Sequence, residues 1–259
     1  MRDDRVLIEL AGQVATVTLN REDKLNAIDP EMLAALERIV RLIERDPGVR
    51  VVILTGAGAR AFCVGADVNA WAALEPLEMW RRWVRDGHYV FDTIARLRQP
   101  VIAAINGYAL GGGLELALAA DVRIAAAGAQ FGTPEVKIGT VPGWGGTQRL
   151  PALIGMGRAK QLIFTGARIG PDIAERWGLV NEVVTNESLA ARARELAEEI
   201  AANAPHAVQI AKQIVDAGAG DGLSSALESL AGGLAATTED GKEGISSFRE
   251  KRQPRFTGA

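Results

Sequence analysis

From Val6 to about Val184 the chain repeats a short, strand-like run rich in apolar residues: Val14–Leu19, Val49–Leu54, Pro100–Ile105 and Val122–Ala125. Runs of this length, bounded by turn residues, predict buried strands. Between them lie segments with helical spacing, such as Pro30–Asp46, which carries proline at its first position. The alternation predicts an α/β architecture. After about Glu187 the strand pattern stops. Glu187–Ala202, Pro205–Ala217 and Gly222–Ala236 predict helices, and the last stretch ends in a charged tail. No close repeat, low-complexity tract or long linker divides the chain.

Composition narrows this picture. The 259 residues allow one large domain or one domain with an appendage. Hydrophobic residues make up 48% and charged residues 24%, enough for a sizeable core. A net charge of −3 argues against general nucleic-acid or membrane-surface binding. The single cysteine, Cys63, excludes an internal disulfide framework and predicts a reducing compartment. The opening Met1-Arg2-Asp3-Asp4-Arg5 has no signal-peptide core, and no stretch is apolar for long enough to span a bilayer. The expectation is a soluble cytoplasmic protein.

Candidate chemistry centres on Gly111-Gly112-Gly113, which joins the run Pro100–Ile105 to a predicted helix over Leu114–Ala120. Glycines here bare the backbone N–H groups of a helix start, where unpaired donors and the helix dipole suit a negative oxygen. Glu115 follows within the first turn. A second acid, Glu135, has a similar setting, with Thr133 as expected N-cap and Pro134 at the first helical position. Two carboxyls in different environments can serve as acid and base. An anion site beside them suits oxyanion stabilisation. Taken alone, each feature also fits a tight turn or a surface partner of the helix dipole.

The run Ile105-Asn106-Gly107-Tyr108-Ala109-Leu110-Gly111-Gly112-Gly113-Leu114-Glu115-Leu116-Ala117 resembles the signature of the enoyl-CoA hydratase/isomerase (crotonase) family. Phe131–Glu135 with Ile138–Leu150 is similar to the family's second block, and Ala61–Asp67 to its upstream block. Lys24-Leu25-Asn26-Ala27 and Gly166–Val180 also fit. The resemblance implies a spiral of ββα units over residues 1–186 holding the acyl-CoA site. It also implies a helical region over 187–259 used in assembly of a homotrimer or a dimer of trimers. It implies an oxyanion hole from the Ala66 and Gly112 amides, with Glu115 activating water and Glu135 delivering a proton. Lys24, Ala27, Asp67, Val68 and Gly143 would contact the acyl-CoA thioester substrate. Coenzyme A enters as part of the substrate, with no metal or redox cofactor. Relatives lacking the first acid resemble double-bond isomerases; this chain has both and reads as a hydratase.

Other patterns carry less. Thr55–Ala61 approximates a dinucleotide fingerprint but does not continue into a glycine-primed helix. Gly139–Thr147 lacks the P-loop ending, and two distant histidines, His88 and His206, give no metal cluster and little support for a hydrolase triad. Cys63 reads as a small buried hydrophobe. Trp71, Trp80 and Trp83 read as core or lid packing that can also shape an acyl tunnel. Trp144 either shortens the pocket or simply packs. The tail Phe248–Phe256 is either a solvated charged end or a contact to a neighbouring subunit's ligand. The alternatives to a simple hydratase are an enoyl-CoA isomerase, a hydratase of a specialised acyl-CoA, and a non-catalytic acyl-CoA-binding protein.

Overall fold

Four strands of a six-stranded sheet, ordered β1-β2-β3-β5-β7-β10, sit where the strand-like runs place them, and the two edge strands β1 and β10 are additional, in a computed structural model describing residues 4–72, 74–218, 230 and 232–259. The strands are β1 (Val6–Ala11), β2 (Val14–Leu19), β3 (Val51–Gly56), β5 (Val101–Ile105), β7 (Val122–Ala126) and β10 (Glu182–Val184). A second sheet joins four short strands in the order β4 (Ala61–Cys63), β6 (Tyr108–Leu110), β8 (Gln130–Gly132) and β9 (Arg168–Ile169). The chain runs β3 to β4, β5 to β6 and β7 to β8, stepping along both sheets in parallel register. This is the expected ββα progression.

Side-chain alternation explains why the central sheet is buried on both faces. Val52, Leu54, Ala103, Ile105 and Ala125 point into the main core with α1 (Pro30–Arg45), whereas Val51, Ile53, Ile102, Ala104 and Ile124 face the other way. The second face is covered by Leu189, Ala193, Ala197 and Ala201. Asp29 caps α1, its carboxylate accepting from the Met32 amide at 2.9 Å. The longer helices among the described residues are α2 (Arg85–Ala95), α3 (Gly112–Ala117), α4 (Gly146–Ile154), α5 (Met156–Thr165), α6 (Pro171–Trp177), α7 (Leu189–Ala201), α8 (Pro205–Asp216) and α9 (Glu239–Glu250), with single turns at Val68–Trp71 and Pro76–Glu78.

Two expectations need correction. The glycine-primed helix starts two residues earlier than Leu114 and stops at Ala117, because Gly112 and Gly113 are its first turn. Thr133 occupies the N-cap position of a 3₁₀ turn, Pro134–Ile138, but its hydroxyl is buried and makes no capping bond. The charged end stays largely exposed, in keeping with the solvated reading, while a few of its residues are hydrogen-bonded. Glu243 takes Arg252 Nη2 at 2.8 Å and the Arg255 amide at 2.9 Å, and Arg50 donates to the Phe256 carbonyl at 3.0 Å. The expected helix Gly222–Ala236 falls largely outside the described residues. No helix among the described residues is long and apolar enough to cross a membrane.

Candidate active site

The glycine triplet is demanded by its surroundings. Gly111 has φ 53°, a left-handed value costly for most side chains. A Cβ on Gly113 would stand 2.0 Å from the Cys63 carbonyl oxygen, so β4 and α3 approach as closely as they do only through glycine. Cys63 itself is fully buried, its thiol pushed up to about 12 by desolvation, which leaves it inert.

This close approach brings two amides together. The Ala66 segment bridges Ile28 in parallel, with the Gly65 carbonyl and Asp67 amide used in that pairing, so the Ala66 N–H turns away from it. Gly112 is the first residue of α3, where the N–H has no partner within the helix. The Ala66 nitrogen lies 3.5 Å from where a Cβ on Gly112 would stand. Both residues line a cavity of about 630 Å³ whose wall also holds Val68, Glu115, Glu135 and Gly143.

The two acids are dressed differently. Glu115 is 2% exposed, and its Oε1 accepts from the Trp144 and Gly146 amides, each at 2.8 Å. Burial raises its pKa, and the amides of Gly146, Trp144 and Gly143 together with the Arg149 charge oppose that rise. The loop supplying those amides is itself held. Arg149 donates to the Trp144 carbonyl at 3.1 Å and pairs with Asp92 of α2. Glu135 has both carboxyl oxygens buried and no hydrogen-bond partner among the described residues. Desolvation pushes it up to about 7, its own amide resists, and the Glu115 charge adds to the rise. Two such carboxyls share one proton most favourably when Glu115, with its amide donors, is ionised and Glu135 holds the proton.

A stability consequence follows from that raised value. Between the unfolded value of 4.5 and the folded value of about 7 the native state binds the extra proton, so its advantage fades as pH rises through that window. Glu135→Gln removes this dependence. From pH 5 to pH 8 its unfolding free energy should gain on the wild type by ~1–3 kcal/mol, discounted for the partial exposure of the group. Denaturant melts at both pH values read this directly; parallel curves would deny the shift.

Other expected site residues lie apart from this cavity. Lys24 ends an exposed 3₁₀ turn, Glu22–Lys24. Ala27 and Asp67 are tied to each other by Arg21, which donates to the Ala27 carbonyl at 3.0 Å and to Asp67 at 2.8 Å, holding the Asp67 carboxyl below its usual value. Sequence reasoning missed Arg21 and the amide cradle of residues 144–146. The glycines flanking Trp144 were the available signal for the cradle. Trp144 is 3% exposed, its ring 5.3 Å from that of Trp83 and 5.2 Å from that of Phe91.

Two neighbouring amides, one at a helix start, beside two unlike buried carboxyls make a site suited to moving protons around a polarised carbonyl. Comparison with known proteins agrees with that class. The family model for enoyl-CoA hydratase/isomerase matches residues 9–259, and the chain belongs to that family. It is 46% identical to a short-chain-enoyl-CoA hydratase of Clostridium acetobutylicum, over 98% of this chain and 97% of the relative. It is 43% identical to an (E)-benzylidenesuccinyl-CoA hydratase of Thauera aromatica, over 98% of this chain and 99% of the relative. The crystal structure of an enoyl-CoA hydratase from Bacillus anthracis superposes with a TM-score of 0.95 at 42% identity, covering 99% of this chain and 100% of the other. The architecture is thus the crotonase fold.

Proposed function

We propose that this protein adds water across the 2,3 double bond of a 2-enoyl-CoA thioester, giving a 3-hydroxyacyl-CoA. The observation that carries the reading is the unequal pair on one cavity: Glu115 held by backbone donors, and Glu135 with buried carboxyl oxygens that have no donor among the described residues. The thioester oxygen lies against the Ala66 and Gly112 amides, where charge gathers as the β-carbon is attacked. Glu115 takes a proton from the water whose oxygen bonds to C3. Glu135 gives its proton to C2 as the double bond closes into the C2–H bond. The reverse reaction exchanges the roles. Hydration is redox-neutral, and the two carboxyls handle its protons: the proton Glu115 takes from water is returned through solvent to Glu135 between turnovers, so the proposed reaction calls on no redox or metal cofactor.

Lys24, Ala27, Asp67 and Val68 hold the coenzyme A portion, with Lys24 offering charge to the phosphates and the others chiefly backbone. Gly143 borders the acyl end. We further place the protein in the cytoplasm, as a trimer or dimer of trimers. Supporting assembly, Phe164 and Phe248 are 72% and 85% exposed, large apolar surfaces late in the chain.

The test is incubation with crotonyl-CoA in water enriched in heavy oxygen, followed by mass analysis. The expected product is 3-hydroxybutyryl-CoA carrying one heavy oxygen. A shifted double bond without label, from a 3-enoyl substrate, would instead identify an isomerase. Tight acyl-CoA association with no turnover of short, long or branched enoyl groups would identify a binding protein.

A further inference from the structure

Behind the catalytic cavity lies a second one of about 370 Å³, between α1 and the segment leading into α2. Leu33, Leu74 and Val90 give it an apolar floor, and Glu78 and Arg82, paired at 3.4 Å, stand on its rim. Among the described residues, Trp83 alone lines both cavities. It is 6% exposed, and it projects from Met79–Val84, a single π-helical turn inserted before α2. Such a turn carries an extra residue and re-aims the side chains around it, and it is common at functional positions. On the catalytic side the Trp83 indole packs on Trp144.

We propose that Trp83 is the partition that sets acyl-chain length in this protein, and that the cavity behind it is a second acyl subsite. With the indole in place, the acyl group ends against aromatic rings and short enoyl chains are preferred. With the indole removed, the two cavities join, and the distal methylenes of a medium-chain enoyl group lie along Leu33, Leu74 and Val90. The charged rim stays in water. This inference rests on the hydratase reading above.

The test compares kcat/KM for crotonyl-CoA and 2-decenoyl-CoA in wild type, Trp83→Ala and Trp83→Phe. Taking the ratio within each protein cancels any general loss from loosened packing around Trp144. Wild type should prefer crotonyl-CoA. Trp83→Ala should raise the decenoyl-to-crotonyl ratio ~10-fold or more, chiefly through KM, since each newly buried methylene contributes about fourfold. Trp83→Phe should change it less. Leu74→Trp, at a half-exposed site outside the catalytic cavity, refills the second cavity and should cancel the gain when added to Trp83→Ala. An unchanged ratio in an active Trp83→Ala, a gain that survives Leu74→Trp, or a wild type already as efficient with decenoyl-CoA overturns the proposal. Should wild type incorporate no labelled water with any chain length, the hydratase reading fails, and this one with it.

Discussion

Glu115→Gln and Glu135→Gln should each lower kcat for enoyl-CoA hydration by ~10²–10⁴-fold while leaving acyl-CoA affinity within a fewfold. The surroundings of each acid say why the loss is chemical. A glutamine at 115 can still turn its carbonyl oxygen to the Trp144 and Gly146 amides, so the loop stays in place. What disappears is a base able to take the water proton. At 135 neither carboxyl oxygen has a partner to lose among the described residues, so the amide keeps the shape and removes the transferable proton. Stopped-flow loss of the enoyl thioester absorbance, with affinity from a non-reacting acyl-CoA, separates the two effects. The double variant should fall little further than the worse single one, because both acids serve one addition. Retention of turnover within ~10-fold in either variant would remove that residue from the mechanism. In wild type, hydration should decline as pH rises through about 7, where Glu135 surrenders the proton it must donate.

Much of this site was legible in the chain because its parts are local. The Gly111–Gly113 triplet and Glu115 share one strand-to-helix junction, and their spacing alone sets an acid beside exposed amides. Long runs such as Val101–Ile105 announce buried parallel strands in the same local way. The second sheet was harder to read. β4, β6 and β8 have three residues each and β9 two, too few for any period to declare itself. Contacts between distant segments leave still less trace. The amides that hold Glu115 come from a loop 29 and 31 positions downstream, and that loop is fixed by Arg149 against α2. Thr133 looked like a cap because threonine before proline usually is one, but the following turn is 3₁₀ and its hydroxyl points into protein. The tryptophans could be counted from sequence. That Trp83 stands between two cavities depends on a π-helical turn, whose one-residue insertion has no compositional signature.

Gly112→Ala is the sharpest probe of the paired amides. The substitution leaves both N–H groups chemically intact, so any effect on catalysis must come through space. The added methyl would stand 3.5 Å from the Ala66 nitrogen, in the gap where, on the proposed reading, a thioester oxygen meets both donors. It would also lie 2.8 Å from two carbons of the Trp144 ring, so that ring must move. Trp144 carries one of the amides holding Glu115, and the displacement therefore reaches the proposed base as well. Loss of one oxyanion donor typically costs ~10²–10³ in kcat, and Gly112→Ala should fall in that range or below it. Adding Trp144→Ala frees the ring clash but leaves the methyl in the gap. If the amides bind the developing oxyanion, the double variant stays slow even after its packing is relieved. If the defect lies only in the displaced ring, turnover recovers to the level of Trp144→Ala alone, and the oxyanion role of Gly112 is lost.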